Sequence, residues 1–182
     1  MVSQVNMIRG IRILENLGIV DERGKSLKIS NRRLIKLFDR NVGRDILLTT
    51  NYKAGTIRGL HVQSGNVGEA KYIQCIEGSI QEYFLDLRPK SKTFGSYMTA
   101  LFSANEGRSV YIPPGIAHGY QTLVDGCTLL YVLSATYRRD KQIYIDFLDN
   151  DLAINFPLKP IRISEKDKNG TKLSKVIQFF KG

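Results

Sequence analysis

The chain has 182 residues, 42% hydrophobic and 24% charged, the balance of an ordinary soluble globular protein and enough for one domain with a substantial core. No apolar run is long enough to span a bilayer, and the start, Met1 to Arg9, lacks the basic-then-apolar form of a secretory signal, so a cytoplasmic location is expected. The formal net charge of +10 sits at the two ends: residues 1–60 hold 12 Lys/Arg against 5 Asp/Glu and residues 159–182 hold 7 against 2, while 61–158 hold 8 against 10.

In chain order, residues 5–14 alternate well enough to predict one strand or two short ones. Asp21-Glu22-Arg23-Gly24 reads as a turn. Ser30 or Asn31 offers a cap for a short helix to about Asp39, with Arg32, Arg33 and Lys36 on its solvated face and Leu34, Ile35 and Phe38 turned inward. No aromatic stacking residues accompany those cations, so they fit a small polyanion, such as a nucleoside diphosphate, better than a nucleic acid. From Asp45 to about Ile154 the pattern is almost entirely strands, at 46–50, 56–63, 71–77, 79–87, 96–103, 109–113, 119–124, 127–137 and 142–147. Turn signals such as Glu77-Gly78, Pro113-Pro114-Gly115 and Asp125-Gly126 separate them, and strands this short and frequent predict an all-β sandwich or barrel. Leu173, Val176, Ile177 and Phe180 fall at i, i+3, i+4 and i+7, which predicts a helix over about 171–180 packed on the sheet. No repeat, linker or low-complexity tract interrupts this, so 1–182 reads as a single domain with short flanking helices. Cys75 and Cys127 lie in apolar strand-like segments without metal-ligand spacing and read as buried free thiols.

The chemistry concentrates on the only two histidines, His61 and His118, both at strand–turn boundaries. Gly107-x5-Pro113-x-Gly115-x2-His118 has the spacing of the second motif of cupins, which are jelly-roll barrels, and its Pro-Gly turn brings His118 to the barrel mouth. Metal-binding cupins bring two imidazoles from their first motif, whereas His61-Val62-Gln63 supplies one. Glu69 would complete a two-His, one-carboxylate set for iron, which keeps a metal-dependent cupin oxygenase as an alternative. With no metal, His61 is a candidate base.

Several separated motifs then occur in one order: Asp21-Glu22-Arg23-Gly24; Gly55-x-x-Arg58-Gly59-Leu60-His61; Lys71; Asp86-Leu87-Arg88 with Thr93-Phe94-Gly95; Ile112-Pro113-Pro114-Gly115-x-Ala117-His118-Gly119; Tyr131; and Ser164-Glu165-Lys166-Asp167. In these the chain resembles the dTDP-4-dehydrorhamnose 3,5-epimerase family, cupin-fold enzymes that invert carbons beside the ketone of a nucleotide-linked 4-keto sugar. The resemblance implies a cupin-type jelly roll that needs no metal and no cofactor. It implies His61 as the base, Asp167 as its carboxylate partner, Lys71 beside the sugar ketone and Tyr131 as the acid on the opposite ring face. It further implies Arg23 and Arg58 on the diphosphate, Arg23 reaching in from the partner of a homodimer that exchanges N-terminal strands (residues 4–14 here). His118, Gln63 and Tyr137 are expected to contact the substrate, a nucleoside-diphosphate 4-keto sugar; neither nucleic acid nor membrane is expected as a partner. Taken without the family, Tyr131 reads as a core aromatic, Asp167 as a capping-box carboxylate begun by Ser164, and Lys71 as a strand-edge charge.

The shell departs from the family pattern. Lys25, Ser26 and Leu27 stand where bulky phenylalanines are usual, Val62 and Val132 replace a tyrosine and a lysine, and Arg138 and Arg139 replace a proline near Tyr137. The expectation is the same reaction, at C3 and C5 or at C3 alone, on a dTDP-4-keto-6-deoxyglucose-like sugar or a GDP- or CDP-linked 4-keto hexose or heptose, in surface-polysaccharide or deoxysugar biosynthesis. A non-catalytic sugar-nucleotide-binding cupin is the alternative outside the enzymes.

Overall fold

The computed structural model describes residues 7–16, 18–27, 36, 38, 45–64 and 68–181. Its strands are β1 (Arg12–Glu15), β2 (Gly18–Asp21), β3 (Gly24–Leu27), β4 (Asp45–Asn51), β5 (Thr56–Gln63), β6 (Lys71–Glu77), β7 (Ser79–Asp86), β8 (Tyr97–Ser103), β9 (Arg108–Ile112), β10 (Ile116–Thr122), β11 (Cys127–Leu133), β12 (Gln142–Tyr144) and β13 (Arg162–Ile163). Two helices follow, α1 (Glu165–Lys168) and α2 (Leu173–Lys181).

Two antiparallel sheets face each other, ordered β1-β9-β6-β11-β4 and β12-β5-β10-β7-β8: the strand spacing predicts the sandwich, and the family resemblance implies its cupin jelly-roll form. β13 runs parallel to the start of β5, Arg162 opposite Thr56 and Ile163 opposite Ile57. β2 and β3 form a separate hairpin whose tip is the predicted Asp21–Gly24 turn.

One core lies between the sheets, with Cys75, Phe84, Phe102, Ile112 and Leu129 each no more than 2% exposed. The alternate positions of β5, β7 and β10 face outward, yet they too are buried: Ile57, Leu85 and Ala117 pack under Ile145, Phe147, Leu173 and Val176 of the C-terminal segment. A sheet covered on both faces loses the alternation that marks a half-exposed strand. This is why β10, buried at every position, begins at Ile116 whereas the sequence pattern placed a strand at 119–124.

Other boundaries also move. β1 starts only at Arg12, after a turn in which Gly10 holds φ at +93°. β11 stops at Leu133, where the Ser134 hydroxyl accepts the Ala70 backbone N–H at 2.8 Å, and β12 stops at Tyr144. The predicted helix over 30–39 and the start of the exchanged segment 4–14 lie largely outside the described residues. Phe38 is inward as expected, 4% exposed with its ring edge-on to Tyr111. Cys75 and Cys127 are buried free thiols, and burial pushes Cys75 up to about 12. Among the described residues no helix is long and apolar enough to cross a membrane.

The loop that caps one end of the barrel hangs on Asp86. Its fully buried carboxylate accepts from the Arg88 guanidinium at 2.8 and 2.9 Å, Ser91 Oγ at 2.5 Å and Thr93 Oγ1 at 2.7 Å. Burial pushes this carboxyl up, but those donors outweigh it and leave it below the ordinary carboxylate range. The contribution is therefore complete above the unfolded-state pKa and is lost as pH falls through the lower folded-state value. Asp86→Asn is expected to cost about 2–3 kcal/mol in urea unfolding at neutral pH, with the difference from wild type shrinking in acid.

Candidate active site

β5 carries both Arg58 and His61, three residues apart, which a regular strand would send to opposite faces. Both nevertheless line the same cavity. The register explains this: His118 pairs with His61, but Tyr120 pairs with Arg58, so β5 spends one residue more than β10 over this stretch. That is a β-bulge, which re-aims a side chain. Gly59 sits in it with φ at +113°, and a Cβ on Gly59 would meet the Gly119 backbone at 2.5 Å. The glycines that read as punctuation in the sequence are what lets two backbones come this close.

The cavity, of about 370 Å³, opens between the sheets. Arg58, His61 and His118 enter from the six-stranded sheet, and Lys71 and Tyr131 from the five-stranded sheet. Tyr137 reaches it from the segment after β11, and its hydroxyl lies 3.1 Å from that of Tyr144, which is opposite His61 in the β5–β12 register. That contact and partial burial push the Tyr144 phenol up to about 12.

Asp167 stands behind His61 rather than in the cavity. β13 delivers the chain alongside β5, and Ser164 then caps α1 by accepting the Asp167 backbone N–H at 3.1 Å. The carboxylate itself is left to reach His61 Nε2 at 2.6 Å. The capping role and the dyad role are thus both filled by one residue, the backbone serving the first and the side chain the second. Burial works to raise the Asp167 carboxyl, but the contact with His61 and the Ser164 and Gly59 hydrogen bonds hold it below the usual range. A carboxylate fixed on one ring nitrogen orients the imidazole, steadies its protonated form and leaves the other nitrogen to take up a proton.

Lys71 is no strand-edge charge: its side chain is 11% exposed, in an ion pair with the buried carboxylate of Glu69. Burial pulls the ammonium down to about 7. Tyr131 is half-buried against the inter-sheet core, and burial, with Tyr120 and Glu82 nearby, pushes its phenol well above the ordinary value while Arg58 works the other way. His118 Nδ1 lies 2.7 Å from Glu82 Oε1, and both groups are drawn by burial toward their neutral forms.

Gln63 lies elsewhere, and Arg23, expected to reach in from a partner, stays outside the cavity of its own chain. Gln63 is 4% exposed and does not line the cavity; its Oε1 accepts the Arg138 backbone N–H at 2.9 Å and so anchors the segment bearing Tyr137. Arg23 is at the tip of the β2–β3 hairpin, its side chain 83% exposed and paired with Asp21. The iron set of His61, His118 and Glu69 does not converge. Each is turned to its own partner, Asp167, Glu82 and Lys71, and among the described residues no three such side chains are placed to share a metal ion. Sequence reasoning missed Tyr120, Tyr144 and Glu82. Tyr120 follows His118 by two on one strand, a parity signal that was available in the sequence; Tyr144 and Glu82 arrive through pairing of distant strands and gave no such signal.

The fold and the cavity define a cupin-type jelly roll whose polar groups are suited to moving protons within a small enclosed space. A sequence model of the dTDP-4-dehydrorhamnose 3,5-epimerase family matches residues 6–175. The dTDP-4-dehydrorhamnose 3,5-epimerase of Shigella flexneri is 31% identical over 169 residues, 91% of this chain and 92% of that one. The crystal structure of the Bacillus anthracis dTDP-4-dehydrorhamnose 3,5-epimerase with TDP and PPi bound superposes with a TM-score of 0.84 at 29% identity, covering 92% of this chain and 98% of that one. A 3'-monoepimerase from Streptomyces bikiniensis in complex with dTDP-quinovose superposes with a TM-score of 0.88 at 25% identity, covering 99% and 91%. This chain belongs to the dTDP-4-dehydrorhamnose 3,5-epimerase family.

Proposed function

We propose that this protein epimerises a nucleoside-diphosphate-linked 4-keto sugar, inverting C3 and C5 or C3 alone, in deoxysugar and surface-polysaccharide biosynthesis. The observation that carries the reading is that His61 and Tyr131 stand on facing sheets around one cavity of about 370 Å³. Inversion needs this layout: a base removes the proton from one face of the ring and an acid returns one to the other. His61, backed by Asp167, takes the proton from the carbon beside the ketone, and Lys71 stabilises the oxygen of the resulting enolate. Tyr131 then protonates the carbon from the opposite side. His118 and Tyr137 hold the sugar, and Arg58 holds the diphosphate.

A groove of about 700 Å³ adjoins the cavity at Arg58 and His61 and is lined also by Arg162, Lys166 and Lys168. Four cations beside a sugar-sized cavity fit a diphosphate leading away from the ring. Relatives with TDP or dTDP-quinovose bound support a thymidine nucleotide. The protein acts as one domain in a cytoplasmic homodimer, with Arg23 of a second copy completing the diphosphate site. Ile46, Leu48 and Tyr52, on or just after the edge strand β4, support such pairing, since they are 68%, 65% and 81% exposed.

The test is a panel of dTDP-, GDP- and CDP-linked 4-keto sugars followed by NMR in heavy water. Deuterium is expected at C3, or at C3 and C5, with one nucleotide strongly preferred. Absence of exchange with every member would overturn the enzymatic reading and leave a binding protein. The same assay reads Lys71. Its ammonium is the active form, so kcat falls as pH rises through its pKa, and the Glu69 carboxylate opposes the downward pull of burial. Glu69→Gln is expected to move that alkaline fall to lower pH by about 1 unit or more, measured from the pH dependence of kcat.

A further inference from the structure

Tyr120 has no part in the assignments above. It is 1% exposed, lies two residues beyond His118 on β10, and lines the cavity. Its hydroxyl donates to Asn51 Oδ1 at 3.2 Å, and the same oxygen accepts Arg58 Nε at 2.7 Å. From the facing sheet, Tyr131 lines the same cavity, and its hydroxyl interacts with that of Tyr120. The Tyr120 phenol, the Asn51 carboxamide and the Arg58 guanidinium therefore form one string along the cavity wall, and Tyr131 faces it from the other sheet. Asn51 is 2% exposed and is itself fixed by donating to the Cys127 carbonyl at 3.3 Å, so the string is built into the barrel rather than laid on it.

This arrangement answers a difficulty in the proposed reaction. When Tyr131 gives up its proton it becomes a phenolate in a place where burial strongly disfavours charge, and it needs a donor at that moment. We propose that Tyr120 is a positioning residue that turns its hydroxyl from Asn51 to the Tyr131 oxygen as that oxygen becomes a phenolate, and so makes the second proton transfer of the inversion possible. The inference rests on the reading of Tyr131 as the acid.

The step balances without any further reactant. The enolate electron pair forms the new carbon–hydrogen bond and the ketone is restored, while the Tyr131 O–H bond breaks and its electron pair stays on oxygen. Tyr120 keeps its own proton and only redirects it; Asn51 Oδ1 retains the Arg58 N–H. Arg58, whose charge favours the ionised form of both phenols, thereby links the grip on the diphosphate to the readiness of the acid. The cycle closes when the protonated His61 releases its proton to water and water returns one to Tyr131.

Tyr120→Phe removes the hydroxyl and preserves the ring that fills the core. With a 4-keto sugar nucleotide in heavy water, the variant is expected to exchange the proton beside the ketone within about 3-fold of wild type, yet complete inversion about 10- to 100-fold more slowly, the range of a lost general-acid or oxyanion contact. The double variant Tyr120→Phe/Tyr131→Phe should be no slower than Tyr131→Phe alone, because the two hydroxyls act as one unit. Inversion at the wild-type rate, equal slowing of exchange and inversion, or additive losses in the double variant would each overturn the inference. If Tyr131→Phe itself inverts normally, the acid assignment fails instead, and the two failures are thereby told apart.

Discussion

His61→Asn is expected to lower solvent exchange at the carbon beside the ketone by about 10³-fold or more, the full worth of a positioned base. Asparagine keeps a polar contact for Asp167 at 5% exposure, so the carboxylate is not stranded and the fold is expected to survive. What disappears is the lone pair that His61 presents to the cavity. No neighbour can replace it: His118 faces the same space, but its Nδ1 is committed to Glu82 and it descends from the adjacent strand. Deuterium incorporation measured by NMR on each variant decides the matter. Exchange at the wild-type rate in His61→Asn would remove the base from the scheme. Asp167→Asn should lie between the two, since it leaves the imidazole but lets it turn and withdraws the charge that steadies its protonated form.

Tyr131→Phe is expected to separate the two halves of the reaction. The phenol acts only after the first proton has left, so exchange should fall by no more than about 3-fold while completed inversion falls by about 10²-fold or more. Comparing deuterium wash-in with the appearance of the inverted sugar in one NMR time course gives both rates. Equal loss of the two would place Tyr131 before the enolate, as a binding residue. The cavity favours the split: Tyr131 comes from β11 and His61 from β5, so one side chain cannot do the work of the other across a ring lying between the sheets.

Much of this architecture was legible in the chain. The strands 56–63 and 71–77 were read to the residue, because each alternates or runs apolar between clear turn signals. The C-terminal helix declared itself through Leu173 and Val176, which are its buried face. The Asp21–Gly24 hairpin tip needed only local turn chemistry. What failed failed for stated reasons. β10 starts three residues before the strand pattern at 119–124 because both faces of its sheet are covered, so Ile116–His118 show no alternation to mark them. Gln63, a substrate contact implied by the resemblance, is instead buried and held by the Arg138 backbone N–H.

By itself the sequence determined the alternation and turn chemistry that make a jelly roll, and the identity of the groups able to trade protons. Both are local properties: a period of two, a glycine at positive φ, an imidazole, a phenol. Only the tertiary structure decided that Asp167, 106 positions from His61, lies 2.6 Å from it, that Lys71 is buried against Glu69, and that Tyr120 meets Arg58 on Asn51 Oδ1 in the cavity that Tyr131 also lines. The reason is that electrostatic environment and hydrogen-bond partners depend on distance through space. In a folded barrel that distance is set by which strands pair and where one of them bulges.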